Sequence, residues 1–293
     1  MGGSRAAGQL VSVDRRAAVA PNPARTLAAV LILLPPSEGK ADAGTGRRLD
    51  LTRLCLPELN PAREEVLAAL VGVSVTDETA ALAALGLSAG QRSELDRNAR
   101  LERAATAPAG QVYTGVLYEA LSLATLPAPA LRAARRSVLV SSGLWGAVRL
   151  ADRIPPYRCP IGAKLPGVGA LSAYWRQVLA PALESAAGDG PVLDLRSAAY
   201  AATWTPRGAL AGRTVSVRVL HQRAVDGRVT RTVVSHFNKA TKGRLVRDLL
   251  VAGARPRGPA GLVAALRDLG YAIEERPATA GRPRQVDVVV TEL

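Results

Sequence analysis

The sequence predicts a mixed α/β fold, a mixed sheet flanked by helices, and three observations predict it. Short apolar or β-branched runs recur at wide spacing, at residues 30–34, 137–141 and 192–195, each of strand length. Between them lie segments with helical spacing of apolar residues, at 61–70, 77–85 and 169–187. Near the C-terminus, 215–220 and 231–236 read as an antiparallel pair joined by a polar turn at Asp226-Gly227. Strands and helices therefore do not alternate strictly, and a doubly wound fold is not expected.

The elements follow in order. Residues 1–29 are rich in Ala, Arg, Gly and Pro without periodicity. They are expected to form a disordered extension ahead of a single domain covering 30–293. Arg15-Arg16 followed by an apolar stretch resembles a twin-arginine signal, but the stretch is short, runs into Pro35-Pro36 and has no small-residue cleavage site. The strand at 30–34 ends in the turn Pro35-Pro36-Ser37-Glu38-Gly39-Lys40, and a loop continues to about residue 56. Helices are expected at 61–70, 77–85 and 88–103, the last capped by Ser88. Val112-Tyr113-Thr114-Gly115 precedes a short helix at 118–123, and 128–135 is helical. The buried strand at 137–141 ends in Ser142-Gly143-Leu144-Trp145-Gly146. Pro155-Pro156-Tyr157-Arg158 is held extended, because proline restricts its predecessor. Gly188-Asp189-Gly190 breaks the helix at 169–187. After the strand at 192–195 and the antiparallel pair, helices at 240–251 and 259–269 lead to closing strands at 271–275 and 286–291.

Composition bounds the function. The chain has 293 residues, 48% of them hydrophobic, which argues against a disordered protein. No apolar run reaches the ~18–20 residues that span a bilayer, so no membrane partner is expected. Net charge is +14, which favours polyanions. Part of that charge reflects arginine usage, since 34 of the 38 basic residues are Arg. The four lysines, Lys40, Lys164, Lys239 and Lys242, are the more informative cations. A compact ammonium on a flexible stem suits phosphate contact or a tuned pKa. Cys55 and Cys159 form no disulfide framework and fit a reducing cytoplasm. His221 and His236 are the only histidines, and no zinc or ferritin-like spacing is present, so no metal or cofactor is expected.

Three motifs carry chemistry. Lys164-Leu165-Pro166-Gly167-Val168-Gly169, with Ala173 four residues on, resembles the hairpin of helix-hairpin-helix DNA-binding elements. Its glycines allow close backbone approach, and the helix that follows can turn free amides toward a phosphate. An ordinary Gly-rich turn before a helix is the plainer alternative. The segment 235–244 places Lys239 and Lys242 near one helix face, with Arg247 one turn on. Cations at a helix start oppose the macrodipole unless an anion sits among them; a solvated basic face is the alternative. Gly39-Lys40 after the first strand is reminiscent of a phosphate loop, but the Walker pattern is absent.

Taken together, Pro-Pro-Ser-Glu-Gly-Lys at 35–40, Val-Tyr-Thr-Gly at 112–115, Ser-Gly-Leu-Trp-Gly at 142–146, Pro-Tyr-Arg at 156–158, Tyr174-Trp175, Leu195, Ser197, Tyr200 and the segment from Lys239 to Arg247 are similar, in order and spacing, to the YaaA peroxide-stress family. The similarity runs from about residue 30 to 275. It implies an uncommon α/β fold with a positively charged cleft, DNA binding, resistance to hydrogen peroxide and a role in limiting free intracellular iron. From the first loop, only Lys40 carries over.

The resulting expectation is a cytoplasmic DNA-binding protein of the oxidative stress response that contacts the phosphate backbone largely independently of sequence. The sequence does not fix the oligomeric state, with a monomer slightly favoured. The expected contacts are Lys164, Leu165, Pro166, Gly167, Val168, Gly169, Lys40, Arg158, Lys239, Lys242 and Arg247, with Lys40, Arg158, Lys239 and Lys242 converging on one concave surface. The alternative is an enzyme acting on nucleotides or nucleobases, with Glu38, Asp194 or His236 supplying a carboxylate or imidazole among the cations. Direct iron binding is disfavoured by the shortage of soft and imidazole ligands.

Overall fold

The computed structural model describes residues 30–225, 228–277 and 279–291. The expected extension at 1–29 and the turn at Asp226-Gly227 lie outside the described residues.

The first strand, β1 (Leu31–Leu34), is apolar at every position and buried at every position. A strand covered on both faces reads this way, without alternation. Along the chain follow β2 (Ala107–Pro108), β3 (Val138–Ser142), β4 (Gly146–Arg149), β5 (Arg153–Ile154), β6 (Lys164–Leu165), β7 (Gly169–Ala170), β8 (Val192–Asp194), β9 (Thr214–Val225), β10 (Arg228–Thr232), β11 (Ala272–Glu275) and β12 (Arg284–Thr291). The helices are α1 (Asn60–Ser74), α2 (Glu78–Leu85), α3 (Ser93–Asn98), α4 (Ala109–Val112), α5 (Val116–Leu121), α6 (Ala128–Ser137), α7 (Leu171–Ala187), α8 (Ala198–Ala201), α9 (Gly208–Gly212), α10 (Ser235–Val251) and α11 (Pro259–Asp268).

The main sheet has the order β11-β12-β9-β8-β1-β3-β4. Its centre is parallel: β1 pairs with β3 and with β8, and β8 and β12 each pair with β9. Its margins are antiparallel, with β4 on β3, β11 on β12 and β10 on β9. The sheet is mixed and flanked by helices, as the unevenly alternating segments predict. Strand β9 is long enough to share one edge: Thr214–Ser216 pair with β8, while residues 221–225 pair with β10.

Three sequence expectations change. The helix expected at 88–103 is a short 3-10 turn at Ala89–Gln91 followed by α3, because the chain turns back at Asn98 to reach Arg158. The strand expected at 231–236 ends at Thr232, and α10 begins at Ser235, five residues before the expected start. The helix-hairpin-helix detail is not seen. Residues 155–163 carry no helix, with Pro155, Pro156 and Pro160 removing three backbone donors. The hairpin is the two-residue ladder β6–β7, with Lys164 opposite Ala170 and Leu165 opposite Gly169. Gly167 and Gly169 take positive φ, as that turn requires.

Helix α10 lies directly on α5. A Cβ on Gly243 would strike the Leu117 carbonyl oxygen, so the two backbones meet only because this position is glycine. This crossing holds α10, and Lys242 with it, against the sheet.

Candidate functional site

The sheet runs outward in both directions from β1, to β3 on one side and β8 on the other. In α/β sheets a crevice opens at the carboxyl ends of the strands where the order reverses, and ligands bind there. Here that edge carries the turn 35–40 after β1, the turn 142–146 after β3 and the segment 195–200 after β8. Leu195 N–H donates to Leu33 O at 2.9 Å, which ties the first and third of these together.

Lys40 sits at the centre. Its Nζ donates to the carbonyls of Ser37 at 3.0 Å and Glu38 at 3.3 Å, and lies 4.2 Å from the centroid of the Tyr157 ring. Backbone pairing of Lys40 with Tyr113 anchors the turn. Thr114 N–H donates to Ser37 Oγ at 3.1 Å, and Tyr118 OH donates to Pro35 O at 2.8 Å. Burial, and then the positive charge of Arg158, push the Lys40 ammonium down to about 7. Below it runs a buried hydroxyl chain. Tyr113 OH and Tyr157 OH are 2.9 Å apart, and Tyr157 OH and Ser142 Oγ are 2.6 Å apart. Ser142 Oγ in turn accepts from the N–H groups of Leu144 and Trp145. Burial raises Tyr113, Tyr157 and Tyr200 above the usual phenol range, so all three are hydrogen-bonding phenols at neutral pH.

The motif at 142–146 has a packing reason. A Cβ on Gly143 would meet the Cys159 carbonyl, and one on Gly146 would meet the Trp175 ring. Trp175 Nε1 donates to Gly143 O at 2.8 Å. Arg158 is placed beside Lys40 by Asn98, whose side chain pairs with both backbone groups of Arg158, at 2.7 and 2.9 Å. The Arg158 guanidinium reaches Glu38 at 3.3 Å, and its Nε is buried without a hydrogen-bond partner among the described residues.

The neighbouring strand end holds a second buried group. Arg196 pairs bidentately with Asp194, at 2.9 and 2.7 Å, and its guanidinium lies 5.3 Å from the Trp204 ring centroid. Lys242, buried on α10, donates to the carbonyls of Leu195 at 2.8 Å and Arg196 at 3.3 Å. Burial lowers its ammonium to about 8. Beside Asp194 and Trp204 opens a cavity of about 770 Å³ that also reaches Ser216, Arg276 and Arg282.

The sequence-predicted residues divide. Lys40 and Arg158 come together at the switch point, and Lys242 lies on the same sheet edge, with its ammonium held by backbone carbonyls. Lys239 is exposed on α10. Arg247 donates to the carbonyls of Leu121 and Ser122 at 3.1 and 2.9 Å, closing the end of α5. Those contacts give the basic spacing at 239–247 a structural use. In the hairpin Lys164, Pro166 and Gly167 are exposed, while Leu165 is buried. Glu38 is exposed and reaches Arg158 beside Lys40, Asp194 is committed to Arg196, and the side chain of His236 lies outside the described part of the structure.

Sequence reasoning missed a groove of about 1150 Å³ walled by Arg47, Arg48, Arg53, Arg103 and Arg153. All five are exposed. The groove exists because residues 45–48 pass tightly against 103–106. Thr106 N–H donates to Arg47 O at 2.9 Å, and a Cβ on Gly46 would strike Thr106 O. Among the described residues Asp50 is the only carboxylate lining the groove, and it accepts from Thr52 N–H and Thr52 Oγ1.

The family model described as peroxide stress protein YaaA matches residues 30–276. The chain belongs to the YaaA family. A UPF0246 protein of Streptomyces coelicolor is 59% identical over 265 residues, covering 90% of this chain and all of that protein. A UPF0246 protein of Corynebacterium efficiens is 40% identical over 266 residues, covering 89% of this chain and all of that protein. One from Cereibacter sphaeroides is 32% identical over 185 residues, which is 62% of this chain and 69% of the relative.

A YaaA peroxide stress protein invites the question of thiol chemistry. Burial pushes both Cys55 and Cys159 up to about 12, with the Asp152 carboxylate adding to the rise at Cys55. Thiolate is the reactive form. Both thiols are therefore expected to react with hydrogen peroxide more slowly than free cysteine at pH 7.4. Timed alkylation and mass spectrometry check this; oxidation at either site within the half-life of free cysteine contradicts it. Among the described residues no three His, Cys, Asp or Glu side chains form a metal-binding group, and no helix is long and apolar enough to cross a membrane.

Proposed function

We propose that this YaaA-family protein binds DNA through its phosphate backbone, with little sequence preference, and that this binding serves a peroxide stress role that limits free intracellular iron. The observation that carries the DNA reading is the arginine groove. Arg47, Arg48, Arg53 and Arg103 have no ion pair among the described residues, so their charge is available to an external polyanion. Guanidinium forks suit phosphate oxygens, and contacts of that kind position a protein without reading bases. The net charge of +14 adds long-range attraction.

Binding to two unrelated duplexes of equal length, measured by fluorescence anisotropy across a salt series, tests the reading. The two duplexes are expected to bind with similar affinity, and log affinity to fall linearly with log salt by about 0.9 per phosphate neutralised. No binding at low salt, or binding unchanged by salt, overturns it.

A second reading, an enzyme acting on a nucleotide or nucleobase, is favoured by one observation: a lysine amine titrating near neutrality at the switch point of the sheet.

A further inference from the structure

We propose that Lys40 is the nucleophile of a covalent site for an aldehyde that carries a phosphate, with the amine joining the carbonyl carbon and Arg158 holding the phosphate. Three features of the geometry point to this. Lysines become nucleophiles when they are desolvated or placed beside another cation, and Lys40 is both: it is half-buried over Tyr157 with Arg158 adjacent. A neutral amine has two hydrogens, and the carbonyls of Ser37 and Glu38 accept both, which leaves the lone pair uncommitted. Arg158 is the anion partner. Its Nε–H is buried and unsatisfied, and its only ion pair among the described residues is a long one to a Glu38 side chain that is 83% exposed. Exposed pairs of that kind are weak, so an entering phosphate can replace Glu38.

The step balances without another reactant. The amine nitrogen bonds to the carbonyl carbon, both amine hydrogens leave with the carbonyl oxygen as water, and a Schiff base remains. Two sources share this chemistry: the deoxyribose aldehyde at an abasic site in DNA, and a free sugar phosphate. The first rests on the DNA reading; the second does not. The charged and titratable groups that face Lys40 are Arg158, Cys159, Glu94, Arg97, Tyr113 and Tyr157.

Borohydride trapping tests the site, because hydride converts a Schiff base into a stable secondary amine. The whole protein is incubated with a duplex containing one abasic site, with 2-deoxyribose 5-phosphate, or with 2-deoxyribose, reduced, and mapped by peptide mass spectrometry. The chain has only four lysines, so the assignment is unambiguous. The expected result is a single adduct at Lys40 with one or both phosphorylated probes, and at least tenfold less with unphosphorylated deoxyribose. With an amine titrating at about 7, the early yield should rise about tenfold from pH 6 to pH 8. Lys40→Arg should lose the adduct, and Arg158→Gln should lower its yield more with phosphorylated probes than with 2-deoxyribose, because losing the neighbouring cation also makes the Lys40 amine easier to protonate. The mapping and the pH profile are read on the unaltered protein, so they stand even if a variant does not fold. Trapping by the abasic duplex alone identifies DNA as the source; trapping by the sugar phosphate identifies a free metabolite. No adduct at Lys40 with either, equal labelling of Lys164 and Lys239, or equal yield without the phosphate overturns the proposal. Trapping of the sugar phosphate by a protein that does not bind intact duplex would defeat the DNA reading and leave the covalent site standing.

Discussion

Replacing Arg196 by alanine is expected to destabilise the fold by about 3–5 kcal/mol, because it strands a buried carboxylate. Arg196 and Asp194 are 6% exposed each, and two side-chain hydrogen bonds join them beside one from the Arg196 backbone N–H. Arg196 also donates to Trp204 O at 2.8 Å and Tyr200 O at 3.2 Å, which fixes the segment leaving β8. Truncation removes these side-chain bonds at once and leaves Asp194 with the Arg196 backbone N–H and the more distant Lys242 charge alone. Chemical denaturation of the variant beside the unaltered protein measures the loss, and a change below about 1 kcal/mol would show that water or another cation replaces the guanidinium. The paired change Asp194→Leu with Arg196→Met is the informative control. It removes both charges while keeping volume, so it should recover most of the stability.

The arginine groove carries the other large effect. Changing Arg47, Arg48, Arg53 and Arg103 together to alanine is expected to lower the log–log salt slope for duplex binding by about 0.9 for every phosphate that the variant no longer neutralises. Affinity should fall equally for unrelated sequences, since these arginines carry no base information. Stability should move little, because the four side chains are exposed and make no ion pair among the described residues. Arg153 is left in place because it donates to the Thr106 carbonyl and holds the groove wall. An unchanged slope in the quadruple variant would move the DNA-binding surface elsewhere, with the exposed hairpin at Lys164 and Gly167 the next to change.

The strands at 31–34, 138–142 and 192–194 are readable in the sequence because each is an unbroken apolar or small-residue run between turn residues. The first turn of α10 is not, since Ser235 to Lys239 lacks apolar spacing and is held by tertiary contacts instead. Lys40 and Arg158 are legible as chemistry because one is a rare lysine and the other follows two prolines. The hydroxyl chain is not. Tyr113 and Tyr157 are 44 residues apart, and the pairing of β2 with β5 brings their segments together. The groove is hidden for a different reason: in a chain with 34 arginines, the five at 47, 48, 53, 103 and 153 do not stand out. Their meeting depends on Gly46 passing Thr106, an approach no local pattern announces. Arg247 shows a different limit, since basic spacing on a helix looks the same whether it serves a ligand or a neighbouring helix end.

The position of β1 at the centre of the sheet bears on how the chain is made. Among the described residues it is the first strand in the chain, yet its partners are Val138–Val140 and Val192–Asp194, more than a hundred residues later. Until residue 194 has been synthesised, four consecutive buried apolar residues have one edge or both without a partner. Parallel pairing over such separations is slow, and the waiting segment is open to association with other chains. The switch-point edge is likewise assembled late, because Lys242 must arrive from α10 to hold the carbonyls of Leu195 and Arg196. A nascent or truncated chain ending before α10 would therefore carry the turn with Lys40 but not the clamp on the neighbouring strand.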